Sequence, residues 1–161
     1  MKFRGEFEHS LDQKGRTAMP APLRDVLDAR SSENPPRIML LRWLDPCLRL
    51  YVAEEWEAEE ERVEASHDDL LDLDETYATL RRVIFSSATE VSFDKHNRIL
   101  IRNSLRDHAG LDGSVMWVGQ GRYVELWDPA TWRASIETAL HDRDKLRKGL
   151  REMTRRRPEG Q

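Results

Sequence analysis

The sequence contains one cysteine, Cys47, which excludes an internal disulfide and any cysteine-built zinc site within one chain. Cys47 sits among strand-like apolar residues, Leu44 to Leu50, and is expected to be a buried small hydrophobe. No apolar run approaches the ~20 residues needed to span a bilayer. The segment Met1–Glu6 lacks the apolar core of a signal peptide, so a soluble, cytoplasmic chain without membrane contact is expected. Catalytic signatures are missing too. There is no Gly-x-Ser-x-Gly elbow and no phosphate-binding Gly-Lys-Ser/Thr. The five histidines, His9, His67, His96, His108 and His141, share no metal-ligand spacing. Gly119-Gln120-Gly121 lies between two strands and not before a helix, so it is a hairpin turn and no dinucleotide loop. Asp72-Leu73-Asp74 lacks the glycine and distal glutamate of a calcium loop. The expectation is a chain with no enzymatic activity, cofactor, metal or small-molecule substrate.

An excess of positive charge is also lacking. The net charge is −4, an unpromising value for a nucleic-acid binder, but the average hides an asymmetry. Residues 54–75 carry twelve acids against one base, Arg62, whereas residues 141–161 carry eight Lys/Arg against four acids. Local patches, not the average, decide electrostatic steering.

What is present is a repeat. Ser10-Leu11-Asp12-Gln13-Lys14-Gly15-Arg16 returns as Ser92-Phe93-Asp94-Lys95-His96-Asn97-Arg98, an offset of 94 − 12 = 82. Phe3 maps to Phe85, Glu8 to Glu90, and Leu23-Arg24-Asp25 to Leu105-Arg106-Asp107. Leu50 and Trp56 map to Leu126 and Trp132 at an offset of 76, so one loop of the first half is six residues longer (82 − 76 = 6). Units this small rarely bury enough apolar surface alone, so the halves should pack on each other or on other copies.

Each half reads as strand, charged turn, strand, short helix and hairpin. The strands are expected at 7–11, 17–19, 38–41 and 48–52, and again at 90–93, 98–101, 115–118 and 123–127. Helices are expected from Pro20 to Leu27 and from Ser104, as N-cap, to Gly110. The Glu-rich stretch from Trp56 favours helix, with a break expected between His67 and Asp74. Tyr77, Leu80 and Ile84, at i, i+3 and i+7, predict an amphipathic helix. Asp128-Pro129 starts a long last helix. Its stripe of Trp132, Ile136, Ala139, Leu146, Leu150 and Met153 is broken once, at Arg143, and suits either packing on its own domain or a subunit contact.

The repeated turn, Asp-x-x-Gly/Asn-Arg, carries most of the functional information. Gly15 and Asn97 occupy one aligned position, and these two residue types best tolerate positive φ, so both turns should pass through a left-handed conformation. Asp12 and Asp94 can accept turn amides two residues on. Asp12/Arg16 and Asp94/Arg98 can be structural ion pairs. Arg16 and Arg98, helped by Lys14 and Lys95, can also reach bases or phosphates from a β-surface. Both readings can hold together, with the aspartate fixing the guanidinium direction.

At these residues the sequence resembles the MraZ family, within the wider AbrB/MazE/SpoVT group of swapped-hairpin DNA-binding domains. The resemblance rests on 3–16, on Phe85–Glu90 with Asp94–Ile101, on Ala109–Asp112 and on Val124–Trp127, and covers roughly residues 1–140. It implies a β-rich α+β fold with two AbrB-like modules of double-split β-barrel type, related by pseudo-twofold symmetry and flanked by helices. The boundaries are then 1–53 for the first module, 54–84 for an acidic helical connector, 85–128 for the second module, and 129–161 for a C-terminal helix and basic tail. The resemblance further implies a sequence-specific transcriptional regulator, a ring-shaped homo-oligomer on double-stranded DNA. Its targets would be repeated promoter boxes of the division and cell-wall gene cluster, and it would be nucleoid-associated in the cytoplasm. The implied DNA-binding residues are Arg16 and Arg98, with Lys14, Lys95, Arg4 and Lys2 as neighbours. One departure is Arg102, where the family usually has proline. The alternative is a protein-interaction or ring-scaffold role, docking a partner through the acidic segment 54–75.

Overall fold

A computed structural model describes residues 1–71 and 74–156, leaving aside the side chains of 67–71. The first half contains β1 (Glu6–Ser10), β2 (Arg16–Ala18), α1 (Ala21–Arg30), β3 (Ile38–Arg42) and β4 (Cys47–Val52), followed by α2 (Ala53–Leu71) and α3 (Glu75–Phe85). The second half contains β5 (Thr89–Val91), β6 (Arg98–Leu100), α4 (Asn103–Ala109), β7 (Ser114–Gly119) and β8 (Val124–Trp127), followed by α5 (Pro129–Leu140) and α6 (Arg143–Arg155). The chain is α+β. Met1–Pro129 form one compact unit and the residues from Ala130 a second.

The first unit is built on an open, antiparallel six-stranded sheet in the order β1-β7-β8-β4-β3-β5, and a separate two-stranded ribbon, β2-β6. The order reads identically when the repeats are exchanged. Each repeat contributes a hairpin, β3-β4 or β7-β8, and the hairpins join edge to edge through β4 and β8. Each repeat then gives its first strand to the other's hairpin: β1 pairs with β7 and β5 with β3. The ribbon takes one strand from each half. Neither half owns a complete sheet, which is how units too small to bury their own apolar surface come to do so.

Period-two alternation assigns the two faces of the sheet. Leu40, Leu50, Val115, Trp117, Val124 and Leu126 point into the main core, with Leu23 and Leu27 of α1, Leu105 and Ala109 of α4, and Ile99 of the ribbon. Leu41 and Tyr51 point to the other face, where they pack with Trp56 of α2 and Ile84 of α3. The acidic helix and the β2-β6 ribbon therefore lie on opposite faces of the sheet.

Among the boundaries that differ from the sequence expectation, three do so for an evident local reason. Helix α2 continues to Leu71, past the break expected from His67, and Asp72 and Leu73 lie outside the described residues. Helix α4 starts at Asn103, so Ser104 lies inside its first turn; Arg102 is the N-cap residue and gives no side-chain cap. The long last helix is two: Asp142 accepts a hydrogen bond from the Lys145 amide at 3.1 Å and so caps a new helix, α6. Gly110 ends α4 at φ +62°, as a glycine stop should. Arg102 has φ −65°, close to the −57° of Pro20 at the aligned position, so the departure from proline leaves the backbone unchanged. Its Nη2 also donates to the carbonyl of Ser87 at 2.8 Å.

Candidate nucleic-acid interface

The two charged turns are the same object built twice. In the first, the Gly15 amide donates to the carbonyl of Asp12 at 3.0 Å, and the Asp12 amide to the carbonyl of Arg16 at 3.0 Å. In the second, the Asn97 amide donates to Asp94 at 3.1 Å and the Asp94 amide to Arg98 at 2.9 Å. Gly15 has φ +89° and Asn97 φ +59°, the left-handed backbone that their exchange at one position predicts.

The aspartates organise both turns. Asp12 Oδ1 accepts the amides of Lys14 at 3.0 Å and Arg16 at 2.9 Å, while Oδ2 accepts Arg16 Nε at 2.8 Å. Asp94 Oδ1 accepts the amides of His96 at 2.8 Å and Arg98 at 3.0 Å, while Oδ2 accepts Arg98 Nε at 2.9 Å. The backbone amide of the following arginine is the main cause that holds each carboxyl below its ordinary range. Only Nε of each guanidinium is engaged. Among the described residues, the Nη groups of Arg16 and Arg98 make no further hydrogen bond, and the side chains stay 35% and 30% exposed. A fixed guanidinium with its outer fork open can grip a phosphate or a guanine edge with little further loss of side-chain freedom.

Strand register places both arginines on one surface. Arg16 pairs with Leu100, Thr17 with Ile99 and Ala18 with Arg98. Thr17 and Ile99 are buried, so Arg16, Ala18, Arg98 and Leu100 share the outward face. The two arginines stand diagonally across it, roughly 8 Å apart at Cα by strand spacing and rise. Lys14 and Lys95 are exposed on the adjoining turns.

Each turn is braced by the other half. The Ile101 amide donates to the carbonyl of Gly15 at 2.8 Å, and the Met19 amide to the carbonyl of Asn97 at 3.1 Å. Arg24 donates to Asn97 Oδ1 and lies 4.1 Å over the Phe93 ring, while Asn97 Nδ2 donates to the carbonyl of Met19 at 3.1 Å. Arg106, the repeat-mate of Arg24, packs on Gly15, where an added Cβ would stand 2.6 Å from the Ile101 carbonyl and 2.8 Å from Arg106 Nε. Glycine is therefore required in the first turn, while asparagine fills the matching space in the second.

Lys2 and Arg4 are not brought to this surface. They are exposed and precede β1, beside the β7-β8 turn: Phe3 bridges Gly121, and the Arg4 backbone lies against Gly119. The whole of β1 separates them from the Asp12 turn. Conversely, sequence reasoning passed over Arg24, Arg106 and Leu100. The first two were visible as aligned arginines in the repeat. Leu100 was visible in alternation, since Ile99 and Ile101 are both fully buried and Leu100 between them is 55% exposed.

Comparison with known proteins gives a consistent picture. Residues 2–74 and 84–156 each match the family model of the MraZ protein. A protein named transcriptional regulator MraZ from Thermomicrobium roseum is 37% identical over 135 residues, covering 84% of this chain and 87% of its own. The protein of that name from Pediococcus pentosaceus is 36% identical over 148 residues, covering 92% of this chain and 96% of its own. Its namesake from Pseudomonas syringae pv. tomato is 39% identical over 138 residues, covering 86% and 87% respectively.

Proposed function

The chain belongs to the MraZ family, and from that premise we propose that it regulates transcription by binding double-stranded DNA through the outward face of the β2-β6 ribbon. The observation that carries the reading is the pair Arg16 and Arg98, each aimed by its own aspartate, on one solvent-facing surface. Lys14 and Lys95 add phosphate contacts from the turn tips, where position and charge suit backbone recognition more than base reading. Lys2 and Arg4, remote from the turns, are assigned to more distant phosphates of a longer duplex. The acidic helix α2 faces away from the ribbon, so the negative net charge of the chain does not oppose DNA at the binding surface.

The exchange of strands between repeats and the matched turns support AbrB-like modules with pseudo-twofold symmetry, of the double-split barrel kind. One such ribbon is a weak binder. A ring of copies presenting it several times would gain affinity on repeated promoter boxes without any new contact. Boxes upstream of a division and cell-wall gene cluster are the proposed target, and nucleoid association in the cytoplasm follows from it. The chemistry needs no cofactor, and the role is regulatory, without catalysis.

The test is fluorescence anisotropy on repeat-containing duplex across a salt series. Phosphate contacts release counterions, so affinity should fall steeply and linearly on a log–log plot, and Arg16→Ala should remove most binding while the assembly stays intact. Affinity indifferent to salt, or unchanged in Arg16→Ala, refutes the assignment.

A further inference from the structure

Helix α6 and the α2/α3 pair have opposite characters that fit each other. On α6, Leu146, Leu150 and Met153 stand at i, i+4 and i+7 and are 47%, 62% and 74% exposed. At 100° per residue, Arg143 and Arg147 flank one edge of this stripe, and Lys145 and Arg156 the other. The result is a short basic helix with a bare apolar seam, a surface that water disfavours and that calls for an acidic partner with an apolar slot.

Helices α2 and α3 provide such a slot. A groove of about 260 Å³ runs between them, lined by Val63, Ser66, Tyr77, Leu80, Ile84 and Phe85, with Arg81 at its side in an ion pair with Glu64. Val63, Tyr77 and Leu80 are 37%, 42% and 36% exposed. Phe85 also lines the neighbouring cleft, whose other walls are Glu57, Glu60, Glu61 and Glu64. Arg81 already pairs with Glu64 and Arg37 with Glu57, so the groove is apolar at its floor and the acid along its rim rests on Glu60 and Glu61, the inverse of α6.

We propose that α6 of one copy docks in the α2/α3 groove of a second copy, with its leucine–methionine seam on Val63, Tyr77 and Leu80 and its arginines against the glutamate rim. The occupant is a second copy because the charge match lies within this one sequence: the basic helix and acidic slot are supplied by the same chain. The two surfaces differ, so the joint is head-to-tail and leaves a free helix and a free groove at the ends until a ring closes. This rests on the self-assembly part of the reading above and names the joint for it. It is independent of DNA contact, since α2 and α3 cover the face of the sheet opposite the ribbon.

Size-exclusion chromatography with light scattering, over a range of concentrations, tests this on the full chain. A seam variant (Leu146→Glu/Leu150→Glu/Met153→Glu) and a groove variant (Tyr77→Glu/Leu80→Glu) alter exposed side chains, and circular dichroism checks that each still folds. Each alone is expected to lose the assembly. Mixed in equal amounts they should form dimers only, because one intact helix meets one intact groove. Glu61→Lys should weaken assembly severalfold, and Arg143→Glu/Arg147→Glu should restore it. A seam variant that assembles like the wild type overturns the joint and leaves the ring reading standing. A wild-type chain that stays single at every concentration overturns both. Retained assembly in the seam variant together with lost binding to anionic vesicles reassigns α6 to a membrane surface.

Discussion

Arg49 and Glu125 stand directly opposite each other across β4 and β8, and they are the same position of the two repeats, 125 − 49 = 76 residues apart. The pseudo-twofold axis passes between them, so a perfectly symmetric pair of repeats would set two identical side chains face to face here. The chain sets opposite charges instead. Arg49 Nε lies 3.6 Å from Glu125 Oε2, with side chains only 15% and 9% exposed. The Arg49 guanidinium is stacked 3.5 Å from the Trp43 ring centroid and 4.1 Å from that of Tyr123, and Trp127 Nε1 donates to Glu125 Oε1 at 3.4 Å.

Removing the acid should leave a largely buried cation unpaired. Glu125→Ala is expected to destabilise the fold by roughly 3 kcal/mol in urea unfolding, in keeping with breaking a buried pair by one partner. Glu125→Arg should cost more. The exchange Arg49→Glu/Glu125→Arg should recover part of the loss, because the pair then persists with its order reversed. No recovery in the exchange would mean that the environment, and not the pairing, sets the cost.

The two turns should lose stability for different reasons on substitution at their aligned fourth position. Gly15→Ala adds a Cβ against the Ile101 carbonyl at positive φ and should cost about 1–3 kcal/mol. Asn97→Gly keeps the backbone free but loses both side-chain bonds, from Nδ2 to the Met19 carbonyl and from the Arg24 guanidinium to Oδ1, about 2–4 kcal/mol together. Denaturant midpoints of the two variants check both losses; a Gly15→Ala variant as stable as the wild type would contradict the close packing over Gly15.

Acid should act through Asp12 and Asp94. Both carboxyls are held below their ordinary value of 3.8, chiefly by the Arg16 and Arg98 backbone amides. The unfolded chain therefore takes up these protons first as pH falls. The contribution is fully present above that ordinary value and is lost as pH drops through the lower folded values. Stability measured between pH 6 and pH 2.5 should show this fall, and Asp12→Asn/Asp94→Asn should flatten part of it. An unchanged acid limb in the double variant would exclude these two groups as its source.

Cys47 should be chemically silent in the folded chain. It is fully buried, and burial, reinforced by Glu125, raises its thiol far above neutral. Iodoacetamide at pH 8 is expected to label it only after denaturation, which mass spectrometry would show. Rapid labelling of the native protein would indicate that β4 opens on its own.

Much of this was legible in the residues. The strands, the two short helices and the left-handed turns follow from alternation, proline and glycine placement, and the Gly15/Asn97 exchange. Cys47 is buried as its apolar neighbours suggest. The exchange of β1 and β5 was not legible, because alternation says that a strand has a buried face and says nothing of which neighbour covers it. The split of the last helix turned on one local competition, in which Asp142 offers its carboxylate to the Lys145 amide. At the interface, Arg16 and Arg98 announced themselves by recurring. Their placement on one face of one ribbon required the pairing of β2 with β6, which joins residues 80 to 84 positions apart (98 − 18 = 80 for Ala18 with Arg98, 100 − 16 = 84 for Arg16 with Leu100). The bracing by Arg24 and Arg106 is a contact between repeats, and linear spacing carries no trace of it.

The borrowed strands also set a timetable for synthesis. Glu6 must find Val118, and His9 must find Val115, so the opening strand leaves the ribosome more than a hundred residues ahead of the one that will zip onto it (118 − 6 = 112). Until β7 emerges, β1 is an exposed edge with nothing to pair with, and the arginine ribbon must likewise wait for β6. A nascent chain halted after the acidic helices would hold the β3-β4 hairpin but neither the completed sheet nor the ribbon. Competence to bind should therefore arrive in one late step, as the last hairpin is delivered.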